Sequence, residues 1–351
     1  MYFFVNDYNS ICYPEILDSL KACLDEKNIG YGFDRHSDNA RRLIRKALDD
    51  ESCHIHFIPG GTPANILGVS AGMRAQDSVF AVNTGHIKGH EAGSIEACGI
   101  KVELIDSPTG KLSRSLLERE IKNFDNEFTT KPKKVYISNT TELGEVYTKA
   151  EIMGIYDFCR ENDMYLFIDG ARMAAALASD KCDYSLSDLT KMCDIFYLGG
   201  TKAGFMFGEA LVITNDELKS DFLKLIKQKG AMLAKGFISG IMWERVFSED
   251  DFYLKGSKIA YKQAKKLATG LEKIGYHLAY PFESNQVFVK VASKELSHWK
   301  EISQFEIMEE KDSYYVVRLV TTFRTSDADV EGFLNEIWYG LQEVYGILCQ
   351  V

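Results

Sequence analysis

Proline is scarce in this chain, with six residues in 351. No Pro-rich linker, repeat or low-complexity stretch divides it, so a join between domains is expected to run through regular structure. Cysteine is present but unorganised. Cys12, Cys23, Cys53, Cys98, Cys159, Cys182, Cys193 and Cys349 form no CxxC pair and no dense framework. In a chain this long, that usage fits reduced thiols in a cytoplasmic protein rather than a disulfide scaffold. Long hydrophobic runs are missing as well. Nothing approaches the ~18 apolar residues that would suggest a membrane span. The opening MYFFVNDYNS has no basic region and reaches Asn6 and Asp7 too early for a signal sequence. Positive charge is also short: 41 Lys and Arg face 51 Asp and Glu, a formal net charge of −10. Such a surface repels phosphate backbones, which argues against nucleic acid as a partner. An anionic ligand would need locally placed cations and backbone N–H groups.

What is present is a regular alternation. At about 150 residues per domain the length suggests two domains, or one large domain with an appendage. Short apolar runs rich in β-branched and aromatic residues lie at 53–58, 78–82, 101–105, 134–138, 164–168, 195–198 and 210–214. Helical patterns separate them, including 63–75, 113–124 and 148–161. The last has Thr148 as a cap, Glu151 three residues on, and Ile152, Ile155, Tyr156 and Cys159 at helical spacing. The alternation predicts an α/β fold: a mostly parallel, seven-stranded sheet with helices on both faces. After residue 250 the rhythm changes. A basic amphipathic helix at 256–274 leads to strands near 286–291 and 314–320, then to a final helix at 326–345 with Ser326 as its N-cap. The expected division is a large domain at 1–250 and a smaller α+β domain at 251–351.

Ligands of such sheets bind beyond the carboxyl ends of the strands, and four strand ends carry unusual residues. Pro59-Gly60-Gly61-Thr62 follows the first strand. Its glycines admit close backbone approach, and a helix N-terminus favours an anion; alone, it reads equally as an ordinary turn. Asp169-Gly170-Ala171-Arg172 follows the strand 164–168. A carboxylate at a buried strand end needs a partner, and an arginine beside it can bind a carboxylate or phosphate by bidentate contact. A structural ion pair is the plain alternative. Leu198-Gly199-Gly200-Thr201-Lys202-Ala203-Gly204 places a lysine in a small-residue segment between apolar strands. Burial and a nearby cation would lower its pKa and suit it to Schiff-base chemistry. The G-x-x-x-x-G-K-[ST] spacing of a nucleotide-binding loop is absent. Gly85-His86-Ile87-Lys88-Gly89-His90-Glu91 supplies an imidazole that could stack on a ring or act as a base. His86 and His90 are spaced i,i+4, but Glu91 does not lie between them and no third ligand is evident, so no metal site is expected.

Taken together, Gly-Thr turn, histidine segment, Asp-Gly-Ala-Arg and Gly-Gly-Thr-Lys resemble the threonine aldolases that depend on pyridoxal 5'-phosphate (PLP), within the β-eliminating lyases of fold type I. The likeness covers nearly the whole chain. It implies an aminotransferase-like large domain with Lys202 holding PLP as a Schiff base, Asp169 pairing with the pyridine nitrogen, and His86 stacked on the ring. It implies that Gly61 and Thr62 bind the phosphate and that Arg172 and Arg318 hold the substrate carboxylate. Tyr31 and Asp34 would lie in a segment reaching a neighbouring subunit, hence a homodimer or homotetramer with shared sites. The implied reaction is retro-aldol cleavage of threonine or allo-threonine to glycine and an aldehyde. β-Elimination on the same cofactor, and a non-catalytic binding protein of the same fold, are the alternatives. Several positions depart from the family. Asn6, expected among the substrate-binding residues, stands where better-known members have serine. Thr141 and Glu142 stand in place of Thr-His, and Thr322 in place of a histidine. Leu233 replaces an arginine, with Lys229 and Lys235 nearby.

Overall fold

A computed structural model describes residues 1–345. A short strand β1 (Tyr2–Phe3) leads to helices α1 (Pro14–Ala22) and α2 (Arg35–Leu48). The alternating part runs β2 (His54–Ile58), α3 (Gly61–Ser70), β3 (Asp77–Val82), α4 (His86–Gly89), β4 (Lys101–Ile105), α5 (Arg114–Glu120), β5 (Lys131–Ser138), α6 (Lys149–Glu161), β6 (Tyr165–Asp169), α7 (Met173–Leu177), β7 (Ile195–Gly199) and β8 (Glu209–Ile213). Helices α8 (Phe222–Gln228), α9 (Phe237–Phe247) and α10 (Phe252–Ile274) follow. The remainder is β9 (His277–Leu278), β10 (Gln286–Ala292), α11 (Leu296–Ile302), β11 (Ser303–Gln304), β12 (Glu306–Glu310), β13 (Tyr314–Val320) and α12 (Asp327–Tyr345).

All seven strands expected of the large sheet form, in the order β2-β8-β7-β6-β5-β3-β4. Every neighbouring pair is parallel except those of β8, which runs against both β7 and β2. Strand β3 is buried along its whole length, as a strand covered on both faces must be. Helix α6 starts as its sequence dictates: Thr148 and Glu151 form a reciprocal capping box. The helix expected over 63–75 is shorter and earlier, at Gly61–Ser70. Its last carbonyls explain the stop. Buried Lys134 on β5 donates from Nζ to the oxygens of Gly68, Val69 and Ala71 at 2.7, 3.0 and 2.6 Å, a side-chain cap that local sequence does not reveal. The segment expected as one helix at 113–124 is α5 followed by a 3-10 turn at Ile121–Phe124.

The second sheet is antiparallel, in the order β12-β13-β10-β9. It packs with α10, α11 and α12 around Trp299, Leu267, Val317 and Phe333. Ser326 caps α12, accepting from Asp329 N–H at 3.2 Å. Strands β9, β11 and β12 were not foreseen. Strand β1 pairs in parallel with β11, Tyr2 opposite Ser303, and Phe4 is part of the smaller core. Helix α10 begins with Phe252 and Tyr253 in the large core and continues with Ala264, Leu267 and Leu271 in the small one. Helix α10 thus packs into both cores.

Candidate active site

The carboxyl ends of β2, β5, β6 and β7 meet at one edge of the large sheet. Register pairs Ser138 with Asp169, and Gly199 and Ile58 with Glu209. Strand β8 runs backwards, so its first residue, Glu209, lies among its neighbours' last ones. The turns after β6 and β7 approach so closely that only glycine fits: a Cβ on Gly170 would lie 1.7 Å from the Tyr197 oxygen, and one on Gly199 2.3 Å from the Ala171 oxygen. That contact brings the Asp169 and Lys202 segments together. Above them opens a cavity of about 310 Å³. Gly61, Thr62, His86, Asp169, Arg172 and Lys202 all line it, so six of the expected residues converge in space.

Asp169 is buried and fully engaged. One carboxylate oxygen accepts from Tyr197 Oη and Ala171 N–H, at 2.5 and 2.9 Å. The other accepts from Tyr136 Oη and Asn65 Nδ2, at 2.6 and 2.9 Å. Burial alone would raise its pKa; the charge of His86 and these hydrogen bonds outweigh burial and hold it below the ordinary carboxylate value. Asn65 donates its second amide hydrogen to the buried Glu91 at 2.9 Å, and its Oδ1 is buried with no partner. Glu91 also binds His86 Nδ1 at 2.7 Å. Burial works against the His86 charge, yet Glu91, Glu142 and Asp169 together raise its pKa above the usual imidazole value.

Lys202 sits in a 3-10 turn at Thr201–Ala203, partly exposed only as a wall residue of the cavity. Burial, then the Arg172 charge, lower its pKa, against the pull of Asp7, Glu142 and Asp169. Arg172 is itself paired. Its Nε and Nη2 meet the two Asp7 oxygens at 2.7 and 3.2 Å, and Asn285 Nδ2 adds a contact to Asp7 at 3.1 Å. Burial would raise the Asp7 pKa, but Arg172, Lys202 and these bonds hold it at about 2. Glu209 accepts from Gly200 N–H and Thr201 Oγ1, at 2.8 and 2.9 Å. Burial wins there, and its pKa is pushed up to about 7.

Three expected residues are placed elsewhere. Asn6 turns its Oδ1 to Tyr8 N–H at 3.1 Å and does not line the cavity, where Tyr8 stands instead. Arg318 is buried on β13, paired with Glu306 and bonded to Gln286 Oε1 at 3.2 Å. Gln286 in turn donates to Thr140 Oγ1 at 3.2 Å, so Arg318 stands behind the wall rather than in it. Tyr31 is exposed, with a left-handed φ of 63°, and lies against Lys227 outside this cavity. Asp34, named with it, caps α2 through Ser37 N–H at 2.9 Å. Of the departures from the family pattern, Glu142 lines the cavity while Thr141 Oγ1 accepts from Glu145 N–H.

Sequence reading missed Asp7, Asn65, Glu91, Tyr136, Tyr197 and Glu209. Glu209 carried a signal, a lone carboxylate opening the apolar strand EALVI. The rule that ligands gather at carboxyl ends of strands hides it, because antiparallel β8 presents its amino end there. The phenols of Tyr136 and Tyr197 look like ordinary strand aromatics until the fold aims them at Asp169.

These residues fit a phosphorylated pyridine aldehyde. Helix α3 opens with no side-chain cap; space is open beside Gly60, so the N–H groups of Gly61 and Thr62 can meet a phosphate. Asp169 offers a carboxylate that stays ionised for a protonated ring nitrogen, which must share an oxygen already bonded to a phenol. The orphaned Asn65 Oδ1 is a buried acceptor for a ligand donor.

The model of the family "Beta-eliminating lyase" matches residues 15–294. The chain is 30% identical over 291 residues to a "Low specificity L-threonine aldolase" of Pseudomonas aeruginosa, covering 82% of this chain and 83% of the relative. Among solved structures, a threonine aldolase of Leishmania major superposes with a TM-score of 0.94 at 39% identity, over 98% of this chain and 100% of that one. Cystalysin of Treponema denticola, whose structure contains a pyridoxal 5'-phosphate cofactor, shares the fold at a TM-score of 0.74 and 14% identity, over 98% and 91% of the two chains.

Proposed function

This chain belongs to the beta-eliminating lyase family, and from that premise we propose that it is a PLP-dependent aldehyde lyase cleaving the Cα–Cβ bond of threonine or allo-threonine to glycine and acetaldehyde. The observation that carries the reading is the meeting, in one cavity, of a lysine with a lowered pKa, a buried carboxylate held ionised and an uncapped helix N-terminus.

PLP, bound covalently through Lys202, would supply an electron sink for the electrons of the broken bond. The protein's own groups do the rest. The lowered pKa of Lys202 favours its neutral, nucleophilic amine. Asp169, ionised under four donors, would hold a proton on the ring nitrogen. Gly61 and Thr62 N–H groups would anchor the phosphate at α3. Arg172, its Nε and Nη2 fixed by Asp7, lines the cavity, and among the described residues nothing hydrogen-bonds its Nη1, which is left for a substrate carboxylate. Arg318 supports that region through Gln286 and Thr140. By fixing the substrate carboxylate, this anchor would set which Cα bond is presented for cleavage. Glu91 holds His86 through Nδ1, which leaves Nε2 to take the β-hydroxyl proton.

A homodimer or homotetramer with shared sites fits the surface. Nine of the eighteen exposed large apolar side chains among the described residues lie within the first 33 residues, from Met1 to Phe33. Tyr31 is one of them, and a second copy covering this segment would carry it to a neighbouring cavity. A cytoplasmic location fits too: Cys12, Cys23, Cys53, Cys98, Cys159, Cys182 and Cys193 are free thiols, and among the described residues no helix is long and apolar enough to cross a membrane.

The test begins with the absorption spectrum of the PLP-loaded protein before and after borohydride. A visible band that reduction fixes to Lys202, followed by glycine release from threonine or allo-threonine, is expected. Pyruvate and ammonia instead of glycine would mean β-elimination, and a band without turnover would mean a silent binder. A Lys202→Ala variant that retained both band and turnover would overturn the reading.

A further inference from the structure

Outside the cavity, three metal-ligating side chains of different chemistry converge. Cys23 caps the C-terminus of α1, Glu26 lies in the following turn and His36 stands in the first turn of α2. One donor atom of each lies within 4.8 Å of the other two. His36 Nε2 is 2.7 Å from Glu26 Oε2 and 3.8 Å from Cys23 Sγ. The other ring nitrogen, Nδ1, meets Glu244 Oε2 on α9 at 2.5 Å. Glu244 is held in turn by Asn39 Nδ2 at 2.9 Å. A carboxylate on Nδ1 fixes the ring and its tautomer and turns Nε2 toward the cluster, as the outer carboxylates of metal-bound histidines do.

We propose that Cys23 Sγ, Glu26 Oε2 and His36 Nε2 form a zinc site, with water in the fourth position. A thiolate, an imidazole and a carboxylate suit a borderline-soft dication. Tetrahedral bonds of about 2.0–2.3 Å would set the donors roughly 3.3–3.7 Å apart. The sulfur and nitrogen already stand at nearly that spacing, and Glu26 must withdraw by about half an ångström. It is free to do so, being partly exposed in a turn, while Arg35 holds its other oxygen at 2.5 Å. Charge balances as well: a dication, a thiolate, the carboxylates of Glu26 and Glu244 and the Arg35 guanidinium together are neutral. The ion would bracket residues 27–35, the connector that carries Tyr31 and the Asp34 cap, and tie it through Glu244 to α9. Sequence spacing concealed this site because the carboxylate that orients His36 comes from α9, over 200 residues away.

The proposal is independent of the PLP reading. The PLP-loaded full chain is titrated with Zn²⁺ against a chromogenic chelator, beside Cys23→Ser and Glu26→Gln. One ion per chain is expected, with affinity at least ~10-fold weaker in each variant. Substituting Co²⁺ gives a thiolate-to-metal charge-transfer band that Cys23→Ser abolishes. Thermal melts without metal confirm that both variants fold. No binding tighter than micromolar, or binding that Cys23→Ser leaves unchanged, overturns the proposal; the first outcome would leave a Glu26–His36–Glu244 ion-pair bridge as the cluster's role.

Discussion

Replacing Asp7 should cost stability through Arg172 rather than through Asp7's own packing. Both groups are buried, and their two contacts at 2.7 and 3.2 Å form a fork. Two magnitudes bear on the pair. The Asp7 pKa falls from 3.8 to about 2 on folding, which corresponds to about 2 kcal/mol of stability. Removing one member of a buried pair typically costs more, about 3–5 kcal/mol, because the survivor is left charged and unpaired. Asp7→Asn keeps an acceptor for Nε, so the smaller figure applies; Asp7→Ala keeps none, so the larger one does. The sign with pH follows from the lowered pKa. The contribution is fully present above about pH 4 and is lost as pH falls toward 2. Urea unfolding of the cofactor-free protein at pH 7 measures both variants, and the wild-type advantage over Asp7→Asn should shrink as the medium is acidified. If both variants lie within about 0.5 kcal/mol of wild type, cavity water already solvates Arg172, and the account of a desolvated ion pair is wrong. Asp7 also raises the Lys202 pKa, so its removal should move the pH at which the lysine reacts with PLP downward; an upward shift would contradict the electrostatics described.

Glu209→Gln should change the pH dependence of stability in the opposite sense. With its pKa raised from 4.5 to about 7 by burial, wild type should lose up to about 3 kcal/mol between those values relative to the variant; equal slopes in cofactor-free unfolding would show that Glu209 ionises freely. His86→Gln should lower glycine production by about 10²–10⁴-fold, and the rising limb of the wild-type pH profile should lie above the ordinary imidazole value, since Glu91, Glu142 and Asp169 raise that pKa. A variant with unchanged turnover would remove His86 as the base. Lys134→Met should destabilise the large domain by about 2–4 kcal/mol, because three buried carbonyls at the end of α3 lose their donor; a neutral result in urea unfolding would mean that water replaces the ammonium.

What could be read from sequence follows the range of the forces involved. Strand positions came through because a strand buried on both faces needs an apolar run wherever it lies in the sheet. Thr148 with Glu151, and Ser326 by itself, were legible as caps because a cap's partner lies only three residues on. The stop of α3 was not, since its cap is Lys134 from another strand. Nor was β1, whose partner Ser303 lies three hundred residues on. The same limit explains the site. Lys202, Asp169, Arg172 and His86 announce themselves as polar residues at strand ends, while Asn65, Tyr136 and Tyr197 acquire meaning only when the sheet brings them around Asp169. Arg318 and Asn6 were assigned by resemblance; in the structure Arg318 pairs with Glu306 and Gln286, its Nε buried without a partner, and Asn6 bonds Tyr8 N–H.

The charges around the cavity favour Lys202 as the proposed reactive group. Arg172 has Asp7 at bidentate distance, and His86 has Glu91. Asp169 is held by two phenols, an amide side chain and a backbone N–H. Glu209 is buried as well, and burial pushes its pKa up to about 7. Among these described groups Lys202 alone has no hydrogen-bond partner for its side chain, and the Arg172 guanidinium lowers its pKa further. Removing the pair that holds Arg172 would change the lysine's environment, while a new carboxylate beside Lys202 would stabilise its proton and silence the amine. The polar shell therefore acts through what it withholds from Lys202. That is a property of the assembled cavity, and the motif Gly-Gly-Thr-Lys does not contain it.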